Sequence, residues 1–190
     1  MAFLFALPIR QGTQINDEQL SECIDQYGKL ILRIAYAYTK DRQLAEDVCQ
    51  DVYIKFCCES KRFQDDSHEK AWLIRVTINR CKDICKSAWN RRVQTKGDDM
   101  PEESRWDDDP GVISEKDERA RFIFSQVSLL KAPFKAVIIL YYYEDLSTRE
   151  IAQALKIPES TVRSRLKRAR EKLKTIMEGG AGAWIELKTN

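Results

Sequence analysis

Between Gly97 and Pro110 the chain changes character: Asp98, Asp99, Glu102, Glu103, Asp107, Asp108 and Asp109 crowd a segment that also holds Pro101 and Pro110 and has no apolar periodicity. Like charges repel and there is little to bury, so this segment reads as a flexible linker. The 190 residues then divide into two small domains, each with apolar residues at helical spacing and neither with convincing strand alternation. Seven Gly and five Pro are too few for a turn-rich all-β chain. The expected fold is all-α: two small helical domains joined by an acidic flexible linker, the C-terminal one containing a helix-turn-helix. The boundaries read as a lead-in over 1–15, a first domain over 16–94, the linker over 95–113, a second domain over 114–177 and a tail over 178–190.

In the first domain, Leu20, Ile24, Tyr27, Leu30, Ile31, Ile34 and Tyr38 form one apolar stripe on a helix starting near Asn16. Asp41 is a good cap for a second helix with apolar positions at Leu44, Ala45, Val48, Val52 and Phe56. After the polar break Gln64-Asp65-Asp66-Ser67, the pattern predicts a third helix from about Glu69 to Trp89, carrying Trp72, Leu73, Val76, Ile84 and Cys85. In the second domain, Ser114 with Asp117 three residues on caps a helix whose stripe is Phe122, Ile123, Val127 and Leu130. Pro133 suits the first turn of the next helix, through Val137 to about Tyr142. Ser147-Thr148-Arg149-Glu150 is a capping box opening a short helix that ends near Leu155. Lys156-Ile157-Pro158 turns the chain, and a last helix runs from about Ser160 to Met177.

Several function classes are disfavoured. There is no run of about 18 apolar residues to span a membrane, and the opening MAFLFALPIR lacks the basic start of a secretory signal. A reducing, cytoplasmic setting is expected, with Cys23, Cys49, Cys57, Cys58, Cys81 and Cys85 as free thiols, mostly packed as small apolar residues. A zinc site would need different spacing: there is no C-x-x-C, and His68 is the single histidine. No cofactor is implied, and no nucleophile–base pair suggests an enzyme. The net charge of +2 says little about nucleic acid; its distribution says more.

From Leu146 to Leu173 a short helix, a tight turn and a longer helix are tied together by Ile151, Ala152, Leu155, Ile157, Val162 and Leu166, the pattern of a helix-turn-helix. The second helix carries Arg163, Arg165, Lys167, Arg168, Arg170, Lys172 and Lys174. In such a motif this helix enters the major groove, where Arg or Lys can donate to guanine. Ser160, Thr161 and Ser164 are short enough to reach phosphate or base at its start. The candidate contacts are Ser160, Thr161, Arg163, Ser164, Lys167, Arg168 and Arg170. Lys156 stands where this turn often has Gly, and Ser160 replaces a Gly common before the Thr161-Val162 pair.

The stretch from Leu129-Leu130-Lys131-Ala132-Pro133 through Glu150-Ile151-Ala152 to Ser160–Leu173 resembles region 4 of an extracytoplasmic-function (ECF) sigma factor, group 4 of the sigma-70 family. That resemblance implies reading of a promoter −35 element. The first domain resembles sigma region 2. Leu44-Ala45-Glu46-Asp47-Val48-Cys49-Gln50-Asp51-Val52-Tyr53-Ile54-Lys55-Phe56 is similar to the family's core-binding helix. There an acidic, glutamine-bearing face docks on a coiled coil of the polymerase β′ subunit, which implies that role for Asp47, Gln50 and Asp51. These three fall at i, i+3 and i+4, on one polar face. Residues 70–86 resemble the −10-reading helix and keep its pattern at Trp72, Leu73, Arg75 and Asn79, departing mildly at Val76 and Thr77.

Strand opening needs a receptor for an unstacked base and cations along the backbone. Phe63 and the loop through Asp65, Asp66 and Ser67 are placed to form that pocket. Asn79 can donate and accept toward a base edge, and Arg75, Lys82 and Lys86 could hold phosphates. Trp72 reads as core. The resemblance spans roughly residues 16–175 and implies as partners core RNA polymerase (β′ coiled coil and β flap), promoter DNA and an anti-sigma factor. The acidic linker would thread through the polymerase toward the RNA path. Two other readings stay open at this point. One is a stand-alone helix-turn-helix regulator acting as a dimer; the other is a protein-interaction adaptor with an incidental basic helix.

Overall fold

The computed structural model describes residues 15–59, 63–94 and 118–179. The acidic linker, the Ser114 cap, most of the lead-in and nearly all of the tail lie outside the described residues. The order is α1 (Asp17–Thr39), α2 (Arg42–Cys57), α3 (Asp66–Gln94), α4 (Glu118–Leu129), α5 (Ala132–Tyr142), α6 (Thr148–Leu155) and α7 (Glu159–Gly179), with no strand among the described residues.

The helix starts follow local chemistry. Asn16 caps α1 in a full capping box with Gln19, and the Asp41 carboxylate accepts from the Leu44 N–H at 2.9 Å to open α2. α3 begins at Asp66, three residues before the expected start. The Asp65 carboxylate accepts from the His68 N–H at 2.7 Å, so the segment read as a break is the cap of the helix. Pro133 lies in the first turn of α5. Ser147 and Glu150 form the expected capping box of α6, and Lys156 ends that helix in the left-handed region at φ 52°.

Some of the expected stripes are shifted. Ile24, Leu44 and Phe122 are exposed, whereas Phe124 is fully buried. Cys85 is also exposed, its thiol facing the Tyr38 carbonyl at 3.8 Å. The reason for the shift in α4 is tertiary. Phe124 stacks on Tyr36 of α1 with centroids 6.3 Å apart and meets the Tyr143 ring edge-on at 5.4 Å. The buried face of α4 is therefore set by α1, which its own periodicity does not reveal.

The last turns of α1 join the two halves. Ile34, Ala35, Tyr36, Ala37 and Tyr38 are all buried. Five successive buried residues cover the whole circumference of a helix, so this stretch is a centre rather than an amphipathic edge. α2 and α3 of the first half and α4 and α5 of the second all pack against α1. The Tyr38 hydroxyl donates to the Ala132 carbonyl at 3.1 Å. The Lys135 ammonium donates to the Ala37 carbonyl at 2.7 Å and lies 4.9 Å from the centre of the Tyr38 ring. Arg33 pairs with Glu144 and donates to the Tyr143 carbonyl at 3.2 Å. Cys23, Cys49 and Cys81 are buried in the first half, and burial pushes each thiol up to about 12, so these three behave as small apolar residues.

Two measurements test this account. Lys156→Gly relieves a left-handed side-chain residue at a helix end and is expected to stabilise the fold by roughly 0.5–1 kcal/mol in urea unfolding, the relief exceeding glycine's entropic cost. Lys135 is held down to about 8, by burial first and by Lys40 second, against weaker opposing pulls from Cys85 and Cys81. Below that value the fold carries the cost of a buried ammonium. As pH rises from about 8 toward the ordinary lysine value, the folded form sheds this proton first and gains stability. Relative to Lys135→Met, the wild-type protein should therefore gain on the order of 2 kcal/mol between pH 8 and 9.5. The difference between the two proteins is the readout, because the buried Cys23 and Cys49 thiols destabilise both alike as pH rises through the ordinary thiol range; Cys81 is pulled down by Lys135 itself, so both proteins carry Cys81→Ala.

Candidate nucleic-acid and protein interfaces

α6 and α7 meet through Ile151, Ala154, Val162 and Leu166, all buried, with Ala152, Leu155 and Ile157 half-buried around the turn. Along α7, Ser160, Arg163, Ser164, Lys167 and Arg168 are exposed. Their spacing of three and four places them on one face, while Val162, Leu166, Ala169 and Leu173 fill the opposite side. Glu159 bridges the pair of helices: it accepts from the Thr148 hydroxyl at 2.6 Å and pairs with Arg163 at 3.1 Å. Arg163 is thus aimed from the start of α7 by a residue that sequence reasoning passed over, although the Glu159–Arg163 spacing of four was visible. The Ser164 hydroxyl donates back to the Thr161 carbonyl at 3.0 Å, and Thr161 is half-buried.

Arg170 stands apart from the exposed stripe. Its Nε donates to the Tyr142 hydroxyl at 2.8 Å, and its guanidinium lies 5.6 Å from the Tyr141 ring centre and 5.7 Å from that of Tyr142. These contacts make Arg170 a strut that fixes the angle of α7 on α5. Cation–π contact of this kind holds a planar guanidinium well.

On α2, Asp47 and Gln50 are exposed and Asp51 is half-exposed. The apolar side chains of Leu44 and Ile54, 39% and 54% exposed, flank them on the same helical face. The face is thus mixed, acidic and amide groups lying beside an exposed leucine and isoleucine. The Asp51 carboxylate accepts from Arg80 Nε of α3 at 2.5 Å. Arg80 escaped the sequence reading; nothing in the spacing joins positions on two helices.

On α3, Asn79, Lys82 and Lys86 are exposed and follow Arg75 at four, seven and eleven residues, a single stripe. Arg75 is half-buried: its guanidinium donates to the Ala154 carbonyl near the end of α6 at 3.3 Å, and burial holds it below the usual arginine range. Phe63 packs parallel to Phe56 at 5.9 Å and edge-on to Trp72 and His68 at 5.5 and 5.8 Å. Trp72 belongs to this aromatic cluster and to the edge of the core, as its sequence reading expects. Among the described residues no group of three or more metal-ligating side chains converges, and no helix is long and apolar enough to cross a membrane.

Two family models match successive parts of the chain. Residues 23–91 match Sigma-70 region 2 and residues 127–173 match Sigma-70, region 4. The ECF RNA polymerase sigma factor SigL of Mycobacterium tuberculosis is 31% identical over 157 residues, covering 81% of this chain and 86% of that protein. The ECF RNA polymerase sigma factor SigE of Mycolicibacterium smegmatis is 26% identical over 166 residues, covering 87% of this chain and 64% of the longer SigE chain. The structure of the sigma factor RpoE, in complex with the anti-sigma factor NepR from Bartonella quintana, has the same fold: TM-score 0.69 at 17% identity, over 86% of this chain and 99% of that one. With a region 2 and a region 4 in family order, on one all-helical fold, the chain belongs to the ECF RNA polymerase sigma factors.

Proposed function

We propose that this protein binds core RNA polymerase and directs it to a set of promoters by reading −10 and −35 elements, leaving bond chemistry to the polymerase. The observation that carries the reading is the presence of three chemically distinct polar stripes on one chain, each exposed over most of its residues. The acidic face of α2, Asp47, Gln50 and Asp51 with Leu44 and Ile54, suits the β′ coiled coil. The α3 stripe of Arg75, Asn79, Lys82 and Lys86, beside Phe63, suits the opened −10 strand. The α7 stripe of Ser160, Arg163, Ser164, Lys167 and Arg168 suits the major groove at −35. A stand-alone helix-turn-helix regulator has no use for the region 2 match or for the first two stripes. An anti-sigma partner is part of the proposal, supported by the RpoE relative, which is in complex with one. So are contact with the β flap and action in the cytoplasm.

The direct test is transcription in vitro from a genomic promoter pool with core polymerase, with and without the protein. Promoter-specific transcripts should require the protein and fade with the Asp51→Arg, Gln50→Ala variant; no association with core and no new transcripts would overturn the assignment. A second measurement separates reading from support on α7. Arg163→Ala is expected to lose about 1–3 kcal/mol of discrimination at one base pair of the −35 element. Arg170→Ala should instead lower the unfolding temperature and weaken binding to all sequences alike, with Tyr142→Phe reproducing part of that loss. Competition binding against single-base variants of the recovered promoters reads both.

A further inference from the structure

α7 is rich in Arg and Lys, yet its first turn carries a carboxylate. Glu159 heads the row Glu159, Arg163, Lys167, spaced at four, and its side chain is 37% exposed. On a helix that approaches phosphates, a negative charge lowers binding to every sequence unless it meets a donor. Two local roles are visible. Glu159 Oε1 accepts from the Thr148 hydroxyl of α6 at 2.6 Å, and the same oxygen pairs with the Arg163 guanidinium at 3.1 Å. A carboxylate in a first helical turn is also favoured by the helix dipole. Both contacts use one oxygen, and Oε2 has no partner among the described residues. The first turns of α6 and α7 open together onto a cleft of about 510 Å³, lined in part by Ser147, Thr148, Glu159 and Arg163. The carboxylate thus stands at the surface where a recognition helix presents its N-terminal residues to base edges.

We propose that Glu159 is a specificity-determining residue of the −35 reader: its Oε2 accepts from the N4 amino group of a cytosine close to the base pair that Arg163 contacts. The proposal rests on the reading of α7 as the −35 surface. An ionised carboxylate only accepts. The major-groove edges of guanine and thymine present acceptors, which repel it. Adenine offers its N6 amino group beside the acceptor N7, which opposes the approach of a carboxylate. Cytosine presents only its N4 amino group, so the carboxylate selects it and rejects the others. Thr148 and Arg163 sharpen the selection, because holding Oε1 from two directions fixes where Oε2 points. Glu159 and Arg163 lie about 6 Å apart along the helix axis, so the bases they meet are within roughly two base-pair steps of one another. Arg163 favours guanine by donating, and Glu159 favours cytosine by accepting. The two neighbours therefore read by opposite chemistry.

The experiment uses reconstituted holoenzyme, core polymerase with the full chain, and fragments of the promoters recovered in the transcription experiment, randomised over the −35 element. Bound fragments are sequenced for the wild type and for Glu159→Gln, Glu159→Ala, Thr148→Val and Arg163→Ala. The wild type is expected to prefer cytosine about tenfold at one position, distinct from the position that Arg163→Ala relaxes. Glu159→Gln, whose amide both donates and accepts, should move the preference at that position from cytosine to adenine. Glu159→Ala should flatten it, and Thr148→Val should blunt it without changing the base preferred. A carboxylate that only props α7 behaves differently. Glu159→Gln, which keeps an acceptor for Thr148, would then leave every preference as in the wild type, and Glu159→Ala would weaken binding to all sequences alike. Either result overturns the proposal while leaving promoter-specific transcription intact. A wild-type holoenzyme with no preference anywhere in the −35 element would instead defeat the reading of α7, and the proposal with it. If thermal unfolding shows Glu159→Ala to be poorly folded, the isosteric Glu159→Gln decides alone.

Discussion

The Lys135 ammonium, buried against the Ala37 carbonyl and the Tyr38 ring, marks the place on which the rest of the molecule depends. A helix that is amphipathic along most of its length becomes apolar all round over Ile34–Tyr38, and helices from both halves of the chain close on it. Burying a charged group there is costly, and it is tolerated because the carbonyl at the end of α1 and the tyrosine face together replace the water it lost. Around that point Phe124, Tyr36 and Tyr143 supply apolar contact, and Arg33 and Glu144 supply direction.

From this centre the candidate surfaces are aimed outward by small, local devices. α7 is set on α5 by the Arg170–tyrosine strut, and its first turn is fixed to α6 through Thr148 and Glu159. Those contacts determine where Arg163, Lys167 and Arg168 point, and a misplacement of α7 would move every one of them together. The faces of α2 and α3 are likewise coupled, through Asp51 and Arg80. That pair is exposed and weak in energy, and it joins the two neighbouring surfaces at a single point.

Much of this was legible in the sequence because it is local. The caps at Asn16, Asp41 and Ser147, the proline at the start of α5, and the helix-turn-helix core of Ile151, Val162 and Leu166 are all encoded within a few residues of where they act. The family motifs were legible for the same reason, since each lies on a single helix. The misreadings share a cause. Asp65 was taken as part of a break because a cap and a loop draw on the same polar residues. Phe122 was chosen over Phe124 because periodicity gives a face but not which neighbour arrives to bury it. Arg170 was grouped with the exposed cations because charge alone does not distinguish a reader of DNA from a strut on tyrosine.

By itself, then, the sequence determined the all-helical class, the order of the helices and most of their caps, and it supplied the candidate faces for nucleic acid and polymerase, because periodicity, capping and motif spacing are short-range properties. The docking of the two halves, the burial of Lys135, the withdrawal of Arg75 onto α6 and the pairing of Asp51 with Arg80 were decided only by the tertiary structure. Each joins residues far apart in the chain, and whether such groups meet depends on how helices pack in space, which no local pattern records.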